Sequence, residues 1–119
     1  MTKIGENHVE DAALAWLTEL GYAVVHGPSI GPDGPVPERA SHRDVFLLGR
    51  FRAALRRLNP GLPSEALAEA EAKVLRSETQ SLVEENRRLH RCLVEGVPVE
   101  VRRPDGAIGG EHVRLIDFD

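Results

Sequence analysis

The stretch of residues 27–42, GPSIGPDGPVPERASH, most restricts what this chain can fold into. Its first eleven residues include three glycines and four prolines. Proline has no backbone N–H and fixes φ, and glycine weakens regular structure, so we predict that neither a helix nor a strand persists here. A surface loop over residues 27–42 therefore divides the 119-residue chain into a short N-terminal segment and a longer C-terminal segment.

The N-terminal segment has the pattern of one helix followed by one strand. Its apolar residues recur at helical spacing and predict a helix over residues 6–20 that ends at Gly21. These apolar residues are Val9, Ala13, Trp16, Leu17 and Leu20. Residues 22–26, YAVVH, form a short apolar and β-branched run that predicts a buried strand.

Helical periodicity dominates the chain after the loop. Apolar stripes, interrupted by the NPG sequence at 59–61 and closed by Gly96, predict a helical insertion over residues 43–95. Valines then alternate with polar residues from 97 to 101, the turn sequence RPDG follows, and VRLIDF resumes an extended pattern. We therefore predict a β-hairpin over residues 97–118 and a mixed α/β (α+β) fold class. The apolar last strand favours a place inside a larger sheet.

Composition narrows the class of protein. No run approaches the roughly 18 apolar residues that a membrane span requires, and Cys92 is the single cysteine. The N-terminus has no apolar stretch of signal-peptide length, so we expect a cytoplasmic protein. A net charge of -4 gives no global attraction to nucleic acid, so such binding would need local basic patches or bound metal.

A local basic patch is present in the helical insertion. Arg43, Arg50 and Arg57 recur at every seventh position, which aligns them on one side of a predicted helix. One interpretation is that they contact the phosphates of DNA. The other is that they are a solvated helix face balanced by nearby glutamates. Spacing does not decide between them.

Two acids in the first predicted helix are candidate metal ligands. Glu6 and Glu10 are one turn apart on the apolar side of the helix. A carboxylate there could bind Mg²⁺, which prefers oxygen ligands. Alternatively, Glu6 favours the helix N-terminus and Glu10 borders the core. Neither the zinc motif HExxH nor the phosphate loop GxxxxGK[ST] is present in the sequence.

Four stretches together resemble a known family. They are ENHVEDAALAWLTELG, RDVFLLGRFRAALRRLNPGL, SLVEENRRLHRCLVEGVPVEV and VRLIDFD. In this order they resemble the N-terminal region of the type I restriction enzyme R subunit. The resemblance implies the opening part of a PD-(D/E)xK nuclease domain, followed in the parent protein by an ATP-driven DNA translocase. It also implies modification and specificity subunits as partners and cleavage of unmodified DNA.

The resemblance implies roles for only a few of these residues. Glu10 lies eleven residues before Gly21, as does the metal-associated glutamate of related nucleases, and Glu6 is the second choice. The family's catalytic Asp and Glu-x-Lys would follow Asp119, so the resemblance implies an incomplete restriction-endonuclease-like fold without activity of its own. Mg²⁺ and ATP would serve the parent enzyme. The alternative is a non-catalytic DNA-binding or subunit-binding module.

Overall fold

The computed structural model describes residues 3–119 and forms two compact units, one ending at Val45 and one spanning Phe46–Asp119. Its elements in chain order are α1 (Glu6–Glu19), α2 (Gly27–Ile30), α3 (Leu48–Leu58), α4 (Ser64–Leu75), α5 (Leu82–Glu95), β1 (Val97–Arg102) and β2 (Ile108–Val113). The mixture of helices with an antiparallel sheet confirms the mixed α/β class. Within residues 3–119, no helix is long and apolar enough to cross a membrane.

Helix α1 lies where apolar periodicity places it, but its apolar face is exposed. It ends at Glu19, and Gly21 follows with φ of 95°, a backbone conformation that glycine adopts without strain. No α1 residue is buried, and Trp16 and Leu20 are 67% and 75% exposed. The periodicity thus predicts the helix and its amphipathic face, because helical hydrogen bonds are local, but not what covers that face.

The structure differs from the strand predicted over residues 22–26. Tyr22, Val24 and Val25 are exposed and lie outside any strand. A strand needs a hydrogen-bonded neighbour, and β1 and β2 pair only with each other within residues 3–119.

The predicted loop over residues 27–42 also contains more order than expected. It begins with α2, a single helical turn that accommodates Pro28 near its start. Two backbone hydrogen bonds then fold the chain back on this turn, from Val36 N to Ser29 O and from Glu38 N to Ile30 O.

The unit from Phe46 onward contains the hydrophobic core. Helix α4 packs against β1 and also contacts α3. The buried apolar residues are Leu55, Ala66, Ala70, Cys92, Val97, Val99 and Val113. Helix α5 begins after Ser81, whose hydroxyl accepts a hydrogen bond from Glu84 N, the position expected for a helix cap. The core therefore joins three helices to one face of the hairpin.

The helical insertion begins later than the predicted residue 43. Before α3, Asp44 N donates to Ser41 O, and the Asp44 carboxylate accepts from Ser41 N. These bonds form a turn in place of the first turns of the predicted helix. Arg43 therefore lies outside α3.

The hairpin begins at Val97, as predicted, but ends at Val113 instead of residue 118. Val97 pairs with Val113, and Gly109 and Gly110 lie within β2 rather than in the turn. The ladder ends at the Val97–Val113 pair because Gly96, with φ of 86°, closes α5 directly before β1, so no strand residue lies opposite Arg114. Residues 114–119 consequently lie outside the sheet.

Candidate nucleic-acid interface

Helix α3 has four arginines and no acid among its 11 residues, LGRFRAALRRL. Leu55, which is 2% exposed, anchors one side of the helix in the core. Arg50 and Arg57 are seven residues apart, two helical turns, so they share the opposite side. Both are exposed. Arg43 lies before α3, in the unit that ends at Val45.

Arg52 of α3 is paired with an acid of the neighbouring helix. Arg52 Nε and Nη2 donate to the Glu71 carboxylate of α4 over 3.0 and 2.8 Å, a two-pronged pairing. The hydrogen bond from Arg52 holds the pKa of Glu71 below its ordinary value, and Glu71 raises the pKa of Arg52 in return. This pair joins α3 to α4.

The last turn of α3 holds the arginines that remain open to solvent. Arg56 and Arg57 are exposed, and neither forms an ion pair with a residue in the described range 3–119. Cations also suit the negative end of a helix, which contributes to their position here. Arg56 lines a cavity of about 450 Å³ between α3 and α4. The arginine face of α3, defined as Arg50, Arg56 and Arg57, is our candidate phosphate-binding surface.

A second group of arginines, on α5, is partly used in folding. Arg88 donates to the buried Glu85 carboxylate at 2.9 Å and to Lys73 O at 2.7 Å. Glu85 also accepts from the backbone N–H groups of Glu78 and Thr79. The Arg88 hydrogen bond, helped by these two backbone bonds and opposed by desolvation, lowers the pKa of Glu85 from 4.5 to about 2. This network fixes the segment before α5.

The two other α5 arginines do not make a clear anion site. Arg87 and Arg91 line a cavity of about 440 Å³, but Glu84 and Glu95 line it as well. Acids at this density offset the attraction for a phosphate. The α3 arginine face has no acid on its own helix and is the better candidate.

The two candidate acids lie on α1 and are both exposed. Glu6 is in the first turn, where a carboxylate suits the positive end of the helix dipole, and Glu10 is one turn later. Within residues 3–119, no group of three or more His, Cys, Asp or Glu side chains is arranged to hold a metal ion. The described residues by themselves do not fit a Mg²⁺ site.

Comparison with known proteins decides the family. The family model described as Type I restriction enzyme R protein N terminus matches residues 3–119. The chain belongs to this family. The match covers every residue that the structure describes, so it includes both α1 and the α3 arginine face.

Two curated relatives of this type I restriction enzyme R protein segment have similar sequences. One, from Methanocaldococcus jannaschii, has the name of a type I restriction enzyme MjaIXP endonuclease subunit and is 31% identical over 98% of this chain. The other, the type I restriction enzyme HindI endonuclease subunit of Haemophilus influenzae, is 32% identical over 98% of this chain. The chain spans about 11% of the length of each relative. No solved structure matches.

Sequence reasoning about this R protein segment missed three residues that shape the candidate surface. They are Arg56, Glu71 and Asn59. Arg56 directly precedes Arg57, so the basic pair at the end of this helix is visible in the sequence alone. The partner of Arg52 could not have been found in this way, because Glu71 is 19 residues away and on another helix.

Proposed function

We propose that this chain is a DNA-contacting part of a type I restriction endonuclease subunit. The parent would be an ATP- and Mg²⁺-dependent endonuclease and DNA translocase that cuts unmodified DNA in the cytoplasm, together with modification and specificity subunits. Family membership and the names of the two relatives support the nuclease parent. Because the chain spans about 11% of those relatives, most of that activity would reside elsewhere in the parent.

The arginine face of α3 supports the DNA-contacting role. It presents Arg50, Arg56 and Arg57 to solvent from a helix that has no acid, in a chain with a net charge of -4. A concentrated basic face on an acidic protein provides local attraction for a polyphosphate, which the whole chain does not. Contacts of this kind position DNA without selecting a sequence.

We propose no cleavage by this chain alone. The one Glu-x-Lys in the sequence, at residues 71–73, lies in helix α4 with its glutamate bound by Arg52, whereas the nuclease family uses this motif on a strand. The described acids also form no metal cluster within residues 3–119. Glu10, and after it Glu6, stay our candidates for a carboxylate that the parent's nuclease domain would use. Mg²⁺-dependent nicking of plasmid DNA by the purified 119-residue chain would contradict this.

A salt titration of DNA binding tests the arginine face. Binding of the 119-residue chain to a fluorescent DNA duplex is measured by anisotropy at several salt concentrations. For each phosphate contact removed, the slope of log K against log salt should fall by about 0.9. We expect Arg57→Ala and Arg50→Ala each to weaken binding several-fold and to reduce the slope.

The control for this titration is Arg102→Ala, which removes the same charge from an exposed residue of β1. It should leave the salt slope unchanged. If Arg102→Ala and Arg57→Ala weaken binding equally, general charge and not the α3 face is responsible. If no variant differs from wild type, the DNA-contacting role is wrong.

The exposed apolar face of α1 favours a second candidate function, a subunit-binding module. Val9, Trp16 and Leu20 on this face are 61%, 67% and 75% exposed. Exposed apolar surface of this kind commonly marks a protein interface. A purified complex of modification and specificity subunits should then retain the wild-type chain and release Trp16→Asp, whereas Asp11→Asn on the same helix should still bind. Equal retention of both variants would remove this candidate.

A further inference from the structure

The two edges of the hairpin are protected to different extents. At the β1 edge, Lys73 Nζ donates to Pro98 O over 2.6 Å, and Glu100 N donates to Glu69 Oε2 over 3.3 Å. Pro98 has no N–H to offer. Side chains of α4 and a proline therefore close the β1 edge against another strand.

The register identifies the backbone groups that β2 leaves open. In a strand, the N–H and C=O of one residue point to the same side, and successive residues alternate. Because Pro98 and Glu100 point away from β2, Val99 points toward it and pairs with Glu111. The outward-facing residues of β2 are therefore Ile108, Gly110 and His112.

This open edge has a defined length. Arg114 continues the outward-facing series, but its N–H and C=O are both bound by the Asn59 side chain. Among the hydrogen bonds of residues 3–119, none reaches the outward groups of Ile108, Gly110 or His112. All three are exposed, and Ile108 is 65% exposed. The free edge of β2 thus covers residues 108–112 and ends where the Asn59 side chain binds the backbone of Arg114.

We propose that this edge pairs with the same edge of a second copy of the chain, antiparallel and two-fold symmetric about Gly110. A two-fold interface must be complementary to itself. Gly110 then lies opposite Gly110 of the second copy, and neither residue has a side chain that could obstruct the pairing of the two strands. Ile108 then lies across from the second copy's His112, and Gly109 across from the second copy's Glu111.

Charge complementarity favours a second copy as the occupant. The Arg103 side chain covers Gly109 on the face where a side chain would project, with Nε 2.6 Å from the position of a Cβ there. In the symmetric ladder, Gly109 is the residue directly opposite the second copy's Glu111. Each Glu111 carboxylate therefore meets an Arg103 guanidinium of the other copy, and symmetry produces this pairing twice.

Sedimentation across a concentration series tests the pairing. The wild-type 119-residue chain should shift from monomer to dimer as its concentration rises. Gly110→Pro removes an outward N–H and places a ring at the centre of the ladder, so association should fall at least tenfold. Circular dichroism of this variant shows whether it is folded, and if it is not, the charge variants described next decide.

A charge exchange tests the register. Arg103→Glu and Glu111→Arg each place like charges opposite each other twice, which should weaken self-association by roughly tenfold. Mixing the two variants restores an opposite-charge pair at both positions, so the mixture should dimerise about as well as wild type. Arg102→Glu is the matched control, because it reverses an exposed charge on β1 and should not change association.

Three outcomes would overturn the proposed pairing of two copies. A wild-type chain that stays monomeric from micromolar to millimolar concentration shows that this edge does not pair with a second copy. A dimer that withstands both Gly110→Pro and the charge reversals uses another surface. Loss of dimer in both charge variants without recovery in the mixture excludes the two-fold register.

Discussion

The Asn59 side chain binds the backbone of Arg114 as a neighbouring strand would. Its Oδ1 accepts from Arg114 N over 2.8 Å, and its Nδ2 donates to Arg114 O over 2.9 Å. Nδ2 also donates to Leu55 O within the last turn of α3. Asn59 is 6% exposed, so one buried amide joins the end of α3 to the chain that leaves β2.

Asn59→Ala should destabilise the fold by about 1–3 kcal/mol, because it leaves the partly buried N–H and C=O of Arg114 without the partners that Asn59 supplies. Urea unfolding measures the loss, and hydrogen exchange of the Arg114 amide should accelerate in parallel. Ser77→Ala is the control, since its exposed hydroxyl makes only a 3.4 Å contact with Thr79 O. An unchanged Arg114 exchange rate in Asn59→Ala would show that the amide does not hold this segment.

The same residue shows why some of the fold could be predicted from the sequence and some could not. In the sequence, Asn59 with Pro60 and Gly61 indicates only the end of a helix, and α3 does end at Leu58. Its bonds to Arg114 span 55 residues and leave no local pattern. Helices α1 and α5 were predictable because their hydrogen bonds and apolar stripes are local.

The strands were harder to predict for a related reason. Strand pairing depends on a partner elsewhere in the chain, so the apolar run at residues 22–26 is not sufficient to form a strand. In β2, Gly109 and Gly110 indicate a turn by composition, yet the ladder includes them. At the candidate site, the seven-residue spacing identifies Arg50 and Arg57 in the sequence. The pairing of Arg52 with Glu71 could not be identified in this way, because it is a contact between two helices.

Leu55→Ala should cost about 2–5 kcal/mol of unfolding free energy, because it removes a core side chain and leaves a cavity. Leu55 is 2% exposed and anchors α3 in the core. Leu82→Ala makes the same chemical change at a residue that is 79% exposed and should change stability by at most about 0.5 kcal/mol. Equal losses in urea unfolding would place Leu55 outside the core.

Gly96→Ala and Gly49→Ala should change stability in opposite directions. Gly96 has φ of 86°, and a Cβ there would lie 2.9 Å from Val113 O, so alanine should cost about 1–2 kcal/mol or more. Gly49 lies in α3, and no neighbouring group comes within 4 Å of the place a methyl group would take, so alanine should stabilise by about 0.5–1 kcal/mol. Thermal unfolding of both variants gives the two signs, and stabilisation by Gly96→Ala would contradict the assigned backbone conformation.

The Glu85 carboxylate should make the fold sensitive to acid. Its pKa is about 2 in the folded chain against an ordinary value of 4.5, chiefly because Arg88 donates hydrogen bonds to its charged form. The folded chain therefore binds this proton less readily than the unfolded chain. The stabilisation is fully present above about pH 4.5 and is lost as the pH falls toward 2.

Glu85→Gln should remove this contribution and flatten the fall in unfolding free energy between pH 4.5 and 2. A glutamine amide has one acceptor oxygen for the donors of Glu78, Thr79 and Arg88, so the variant should also unfold at lower urea concentration at neutral pH. Glu84→Gln is the matched control, because Glu84 is exposed and, within residues 3–119, its carboxylate accepts only from the Thr79 hydroxyl. If Glu85→Gln and Glu84→Gln lose stability equally with acid, the pH sensitivity arises from the general loss of negative charge and not from the Glu85–Arg88 pair.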